Sequence, residues 1–158
     1  EAAEVISEIE ALGRKAIALP LDTGKSETFA AFADSLRGLL AEKWNRETFD
    51  FLINNAGMDV RGSFETTSEE DFDRLSDVHF KGVFFLTQRL LPLIADGGRI
   101  VNISTGLARF TLPGYAAYAA MKGAVETLTR YLAKELGPRG ITANIVAPEF
   151  LQIGRAHV

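Results

Sequence analysis

A tyrosine and a lysine, Tyr118 and Lys122, stand four positions apart in an Ala-rich segment of the chain. Because such a segment predicts a helix, the two side chains are expected to project from the same face. An ammonium about 5 Å from a phenol, at an effective dielectric of about 20, favours the phenolate by about 3 kcal/mol. We therefore expect Lys122 to lower the pKa of Tyr118 into the working range of an acid–base catalyst.

An apolar, β-branched run over 99–103 precedes this helix and ends at Ser104-Thr105. The run is typical of a buried parallel strand. A hydroxyl at the carboxyl end of that strand is a poor base, but it can hold a substrate oxygen near the tyrosine. These groups together outline a proton-transfer site, although a Tyr-x-x-x-Lys pattern alone also arises by chance in chains of this length.

The composition is that of an ordinary globular domain, with 158 residues, 47% hydrophobic and 24% charged. A formal net charge of −4 gives no indication of a nucleic-acid or anionic-membrane partner. The sequence holds no cysteine, and His79 and His157 lack metal-ligand spacing, so we expect no metal site. We find neither a signal peptide nor an apolar run long enough to span a bilayer, and we take cytoplasmic as the default location.

Apolar spacing predicts that helices and strands alternate along the chain. Helices are expected over 1–12, 26–43, 68–97 and 115–136, and strands over 16–21, 51–53, 99–103 and 141–147. Ser26 and Ser68 are the predicted N-caps of the second and third helices. The alternation predicts an α/β fold, a parallel sheet with helices on both faces, with its ligand site beyond the carboxyl ends of the strands. Asp22, residues 54–57 and residues 104–105 all fall at those ends.

With these motifs in this order, residues 1 to about 148 resemble the short-chain dehydrogenase/reductase family, which implies a Rossmann-like fold. Asn54-Asn55-Ala56-Gly57 resembles the Asn-Asn-Ala-Gly motif that braces the family's sheet and borders the cofactor ribose. Tyr118 and Lys122 match its Tyr-x-x-x-Lys motif, which implies that Tyr118 is the acid/base and that Lys122 binds the nicotinamide ribose. Asp22 and Pro148 match residues beside the adenine and the nicotinamide.

The resemblance implies an oxidoreductase dependent on NAD or NADP, which transfers hydride between the nicotinamide and a small carbonyl or alcohol substrate. It also implies a homotetramer or homodimer. Two other functions stay open: a non-catalytic nucleotide-binding or scaffold relative, and a lyase or epimerase. Ala56 and Gly57 would let a nucleotide approach the backbone closely, or they form a plain turn. Asp22 is likewise either a cofactor residue or only an Asx-turn residue.

Two positions near the expected centre depart from the family. Its catalytic serine usually lies thirteen positions before the tyrosine, where this chain has Thr105, whose methyl group restricts χ1. Ser104 is the reserve candidate, and because adjacent strand residues point to opposite faces, only one of the two is expected to serve. His79 stands where the family often has asparagine. It either keeps a backbone role, adds a group that titrates near neutral pH, or is merely a hydrogen-bonded helix residue.

The family's Gly-rich loop, Thr-Gly-x-x-x-Gly-x-Gly, does not occur in the 158 residues. Because that loop holds the pyrophosphate, we expect an incomplete fold without the family's first two strands and last strand, and a chain that is inactive by itself. Residues 1–152 are then a single truncated Rossmann-like oxidoreductase domain. Residues 153–158 correspond to the translation of a common sequencing adapter, so we expect a non-native tail there.

Overall fold

The computed structural model describes residues 2–148. The predicted non-native tail over 153–158 lies outside the described residues, as do residues 149–152. Within 2–148 the strands are β1 (Phe49–Asn54), β2 (Ile94–Ile103) and β3 (Thr142–Val146), and the α-helices are α1 (Ala2–Ala11), α2 (Phe29–Leu39), α3 (Glu69–Ser76), α4 (Gly82–Leu90) and α5 (Ala116–Glu135). From β1 onward, helices and strands alternate as the apolar spacing predicts.

The three strands form one parallel sheet, in which β2 lies between β1 and β3. Asn102 of β2 pairs with Asn54 of β1 on one side and with Ile145 of β3 on the other. The carboxyl ends of all three strands therefore meet at one edge of the sheet. That edge carries the polar residues that the sequence places after its strands.

The predicted strand over 16–21 is wrong, because residues 14–22 form neither helix nor strand. Within the described residues, β1 pairs only with β2, so this segment has no ladder to join. Leu21 instead packs against buried side chains of α2 and α4. Of this segment, Leu21 thus packs against helices, whereas Ile17 is 38% exposed.

The third predicted helix exists, but it is not uniform. Ser68 caps α3 as expected, since its hydroxyl accepts a hydrogen bond of 3.1 Å from the Asp71 N–H. A π-turn over Asp77–Lys81 joins α3 to α4. A 3₁₀ turn over Leu91–Leu93 then ends the helix, and β2 begins at Ile94, earlier than the sequence predicts.

The predicted cap at Ser26 is wrong. Ser26 is the first residue of a 3₁₀ turn, Ser26–Thr28, that leads into α2, and no side chain caps either element. The turn is held by backbone bonds instead, because Asp22 accepts the Lys25 N–H and Lys25 accepts the Thr28 N–H. A serine hydroxyl is therefore not needed where this helix begins.

Two clusters of buried apolar side chains lie between the sheet and the helices. One comprises Phe29, Ala33, Leu86, Leu90 and Leu93, and the other comprises Ile94, Ile100, Leu136, Ile141 and Ala143. Leu52 packs against both clusters, whereas Phe51 and Ile53 on the opposite face of β1 are 70% and 62% exposed. The predicted buried strand is thus covered on one face only within 2–148.

No helix in that range is both long and apolar enough to cross a membrane.

Candidate proton-transfer site

Tyr118 lies in the first turn of α5, half-buried, and Lys122 lies one turn later and is only 5% exposed. The structure brings the two together on one face, as their spacing predicts. The Lys122 Nζ lies 5.8 Å from the centre of the Tyr118 ring and donates a hydrogen bond of 2.7 Å to the Ile103 carbonyl. The last residue of β2 therefore fixes the buried cation beside the phenol.

The predicted effect of Lys122 on Tyr118 is wrong. Burial raises the pKa of Tyr118, and a hydrogen bond with the Thr105 side chain, which lowers that pKa, does not offset the burial. The ammonium of Lys122 is drawn to the Ile103 carbonyl rather than to the phenol. Burial also lowers the pKa of Lys122. At neutral pH the phenol of Tyr118 is consequently protonated.

Thr105 lies two residues after Ile103, the last residue of β2, and is 4% exposed. Its hydroxyl caps the 3₁₀ turn Gly106–Ala108 by accepting a hydrogen bond of 3.3 Å from the Leu107 N–H. The interaction of the same side chain with the phenol lowers the pKa of Tyr118, against the larger effect of burial. The cap fixes the threonine hydroxyl at the strand end, where counting back from the tyrosine places it.

Ser104 is directed elsewhere. Its hydroxyl donates a hydrogen bond of 2.9 Å to the carboxylate of Glu126. Glu126 lies about 12 Å further along α5 than Tyr118, at 1.5 Å of rise per residue. The structure therefore brings Thr105 to the tyrosine and does not bring Ser104, the reserve candidate, there. Adjacent strand residues face opposite ways, which is the physical reason for this difference.

His79 lies in the π-turn between α3 and α4 and is 1% exposed. Its Nε2 lies 2.8 Å from the Met58 carbonyl oxygen and 3.2 Å from the Met58 nitrogen. Its ring meets the Tyr118 ring edge-on, with centroids 5.0 Å apart and an interplanar angle of 90°. A Cβ on Gly57 would lie 3.0 Å from the His79 Cε1, so a side chain there would press on the imidazole.

Burial, more than any other cause, lowers the pKa of His79, and Lys122 lowers it further. The imidazole is therefore neutral at physiological pH. Its Nδ1 is buried and has no hydrogen-bond partner among residues 2–148. His79 thus contacts the loop after β1 through its Nε2 and Tyr118 through its ring.

Asn54, at the end of β1, belongs to a buried polar network. Its amide donates to Asn102 of β2 at 2.7 Å and to Thr87 of α4 at 3.0 Å. Asn102 in turn donates to Thr129 of α5 at 2.8 Å, and Thr129 donates to the Val125 carbonyl at 2.7 Å. The network ties the sheet to both helices, which is the bracing role that the resemblance implies for Asn54.

The Asp22 end of the site is a turn. The carboxylate of Asp22 accepts a hydrogen bond of 3.0 Å from the Gly24 N–H and lies 3.6 Å from the Lys25 Nζ. This geometry is the Asx turn that the sequence leaves open as the structural role of Asp22. The side chain is 57% exposed, so it remains available to a ligand.

Two further predicted residues lie at the strand ends. Ala56 is exposed and lines a cavity of about 220 Å³ together with Thr23 and Asn55. Pro148 follows β3, is exposed, and accepts a hydrogen bond of 3.3 Å from the Gly106 N–H through its carbonyl.

Among residues 2–148, no three acidic or histidine side chains are grouped so that they could hold a metal ion.

A short-chain dehydrogenase/reductase of Pestalotiopsis microspora is 34% identical to this chain over 149 residues, which are 93% of this chain and 54% of that protein. A family model described as enoyl-(acyl carrier protein) reductase matches residues 1–157. The chain belongs to the short-chain dehydrogenase/reductase family.

Two more members of the short-chain dehydrogenase/reductase family are similar to this one. A hydroxynaphthalene reductase-like protein of Metarhizium brunneum is 36% identical over 149 residues, 93% of this chain and 53% of that protein. The crystal structure of landomycin C-6 ketoreductase LanV with bound NADP and rabelomycin is 38% identical, with a TM-score of 0.88, over 92% of this chain and 60% of that one. This likeness confirms a Rossmann-like fold that is partial relative to its relatives. The chain spans about half the length of the curated relatives it matches.

One feature beside Tyr118 in this short-chain dehydrogenase/reductase was not predicted from the sequence. The guanidinium of Arg61 stacks on the Tyr115 ring at 5.0 Å, and its Nε donates to Asp59 at 3.1 Å. The Tyr115 and Tyr118 rings lie 6.3 Å apart, and Arg61 and Tyr118 both line a small cavity of about 80 Å³. Tyr115, three positions before Tyr118, was the only sequence signal for this stacking. No local pattern relates Arg61 to α5.

Proposed function

We propose that this chain carries the proton-transfer centre of an oxidoreductase that reduces a carbonyl group on a small molecule with NADH or NADPH. The observation that carries the proposal is the half-buried phenol of Tyr118 next to the buried ammonium of Lys122, whose Nζ lies 5.8 Å from the centre of the tyrosine ring. A protonated phenol is the proton donor that a carbonyl oxygen needs as it becomes an alcohol.

In the proposed reaction, Thr105 and Tyr118 both donate hydrogen bonds to the carbonyl oxygen of the substrate. Donors placed in advance stabilise the negative charge that develops on that oxygen. Tyr118 then gives up its proton, and the ammonium of Lys122, held by Ile103, stabilises the phenolate that remains. A nicotinamide cofactor, when bound, supplies the hydride to the carbonyl carbon. The reverse reaction begins from a phenolate, which the raised pKa of Tyr118 disfavours.

The residues present fit a nicotinamide cofactor at this edge of the sheet. Ala56 and Gly57 leave the backbone after β1 accessible, and both are exposed. We propose that Tyr118 and Lys122 contact the nicotinamide ribose, with Pro148 beside the nicotinamide ring. Asn54, Ala56 and Gly57 would border the other ribose, and Asp22 would border the adenine. The LanV structure contains NADP, which supports this assignment; both NAD and NADP remain candidates.

We further propose that the substrate carbonyl is attached to an aromatic ring system. The names of two similar proteins support this substrate class: one is a hydroxynaphthalene reductase-like protein, and the other is a C-6 ketoreductase crystallised with rabelomycin. Tyr115, with Arg61 stacked on it, offers a flat surface beside Tyr118 for such a ring.

The Gly-rich loop is absent from the 158 residues, so we propose that they hold the dinucleotide weakly and turn over little substrate by themselves.

The experiment is an absorbance assay of NADH or NADPH consumption with hydroxynaphthalene-type ketones. It uses a protein extended to the length of its relatives, and Tyr118→Phe is the matched variant. We expect turnover in the parent and a loss of about 10³-fold in the variant with an unchanged circular dichroism spectrum. Full activity in Tyr118→Phe would refute the assigned proton donor.

The same assay separates the other two functions. Nucleotide binding without turnover in the parent would indicate a scaffold relative. A tightly held cofactor with product formation but no net change in nicotinamide absorbance would indicate a lyase or epimerase.

We also propose that a second copy of the chain seats on α4 and α5, in line with the homodimer or homotetramer that the resemblance implies. These helices form an apolar groove of about 590 Å³ whose walls include the exposed side chains of Phe84 and Tyr131. Sedimentation should show a dimer or tetramer that Tyr131→Glu dissociates. A parent protein that is monomeric at high concentration would refute this assembly.

A further inference from the structure

Gly82 is the first residue of α4 and lies within the helical stretch that runs from α3 through the π-turn into α4. Glycine is less favourable than alanine inside a helix, so its presence there needs a physical reason. The backbone of Gly82 has φ −60° and ψ −48°, which every residue adopts in a helix. Conformational freedom is therefore not the reason.

The reason is the close approach of another segment. A Cβ on Gly82 would overlap the backbone carbonyl of Thr23, and it would lie 2.8 Å from the carbonyl oxygen of Asp77. Asp77 belongs to the π-turn itself, where it accepts the Gly82 N–H. Thr23 belongs to the turn that contains Asp22, far away in the sequence. Backbone groups of two segments cannot move aside as the end of a flexible side chain does.

The turn over 22–24 rests on the helix at a second point. A Cβ on Gly24 would lie 3.4 Å from the Val78 Cγ2 and 3.3 Å from the Asp22 Oδ1. The Asp22 carboxylate holds the shape of the turn through the Gly24 N–H. The turn is thus a preformed unit, and its distance from the helix is set at Gly82 and Val78.

We propose that Gly82 is a positioning residue for the cofactor side of the site. By admitting the Thr23 carbonyl, it fixes the 22–24 turn against α4, where Thr23 lines the same cavity of about 220 Å³ as Asn55 and Ala56. The inference rests on the proposed function, in which this cavity borders the adenine side of the cofactor. Alanine at position 82 displaces the turn and leaves the hydrogen bonds of Tyr118 and Lys122 in place.

The test compares Gly82→Ala with Gly38→Ala in the 158-residue chain. Gly38 is a matched control because it lies inside α2 and a Cβ there meets nothing within 4 Å. Amide hydrogen exchange of Gly24 and Lys25 reports the position of the turn, since their N–H groups bond to Asp22. We expect exchange about tenfold faster in Gly82→Ala and unchanged in Gly38→Ala.

A second readout is the shift of backbone amide NMR signals of residues 22–24 and 54–57 on titration with millimolar NADP. We expect these shifts in the parent and in Gly38→Ala, and their loss in Gly82→Ala. If NADP shifts no signal in the parent while exchange in Gly82→Ala is still faster, the positioning role stands and the proposed cofactor cavity fails. Parent-like exchange and parent-like shifts in Gly82→Ala would overturn the inference.

Gly24→Ala covers the case in which Gly82→Ala does not fold. Its Cβ makes tight rather than overlapping contacts with Asp22 and Val78, so the chain should fold with the turn slightly displaced. We expect the amide of Lys25 to exchange faster than in the parent, by less than in Gly82→Ala. Unchanged exchange of Lys25 in a folded Gly24→Ala protein would overturn the inference in its turn.

Discussion

The Tyr118 end and the Asp22 end of the site are built in different ways. At the Tyr118 end, Thr105, Lys122 and His79 are each no more than 5% exposed, and every one of them contacts the tyrosine or its ring. At the other end, Asp22 is 57% exposed and the turn is held by backbone contact with α4. One end is fixed by buried side chains, and the other is fixed by the shape of the backbone.

The difference follows from what each end has to do. A proton donor needs a defined pKa and direction, and both depend on desolvation and on fixed hydrogen-bond partners. A turn that borders a nucleotide needs only a backbone at the right distance, so its side chains can remain in water. Substitutions of the buried side chains at the Tyr118 end should therefore affect chemistry or stability strongly, and substitutions of the exposed Asp22 side chain should affect them weakly.

After Tyr118→Phe, the largest effect on turnover is expected at Thr105. Thr105→Val keeps the shape of the side chain but removes the hydroxyl that is proposed to hold the substrate oxygen, so turnover should fall by about 10²-fold. It also leaves the Leu107 N–H without its cap, so the free energy of unfolding should fall by about 1 kcal/mol. Thr105→Ser restores the hydroxyl and should recover most of the activity. The measurement is kcat and KM for ketone reduction in the protein extended to the length of its relatives. Equal activity in the valine and serine variants would remove Thr105 from the site.

The next effect is on stability. Asn102→Ala leaves Asn54 and Thr129 without their partner in a buried network, and we expect the free energy of unfolding to fall by about 3 kcal/mol. Asn144→Ala is the control, since Asn144 is exposed and makes one long bond of 3.5 Å to Thr142. Urea unfolding of the two variants measures the difference. Similar losses in both would show that the network does not brace the sheet.

A smaller effect, dependent on pH, is expected at His79. Burial lowers the pKa of His79 below its ordinary 6.5, so the unfolded chain takes up the proton first as the pH falls. The stability that neutral His79 contributes is thus present above pH 6.5 and is lost as the pH falls through the lowered pKa. In urea unfolding below pH 6.5, His79→Asn should lose less stability than the parent. Parallel pH profiles would contradict the burial of a neutral imidazole.

The smallest effect is expected at the other end. Asp22→Ala removes one exposed hydrogen bond to the Gly24 N–H, so the free energy of unfolding should fall by about 0.5 kcal/mol. Asp22→Asn keeps an acceptor oxygen and should match the parent. Thermal unfolding of the two variants checks both expectations. A loss as large as that of Asn102→Ala would show that the two ends are not built differently.

Local spacing and the family resemblance together were enough to predict much of the Tyr118 end. Tyr118 and Lys122 share a face because helical residues four apart do. The choice of Thr105 came from the resemblance, in which a hydroxyl lies thirteen positions before the tyrosine. The direction of the Tyr118 pKa shift could not be predicted, because it depends chiefly on how deeply the folded chain buries the phenol. The Ile103 carbonyl that holds Lys122 comes from another element, and no local pattern relates the two.

The Asp22 end was harder to predict for a related reason. Residues 16–21 are apolar enough for a strand, but a strand also needs a neighbour to pair with, and none lies beside this segment within 2–148. The contact between Thr23 and Gly82 joins residues far apart in sequence. A glycine inside a predicted helix was the only sequence signal for that contact, and it does not name the segment that approaches.

The central claim is that Tyr118 is a neutral phenol poised to donate its proton. A pH titration of the tyrosine ¹³Cζ NMR signals tests it most directly, with Tyr118→Phe identifying the signal. We predict that Tyr118 ionises above 10.0, the ordinary pKa of a tyrosine. Ionisation of Tyr118 well below 10.0, with a phenolate present at neutral pH, would contradict the account.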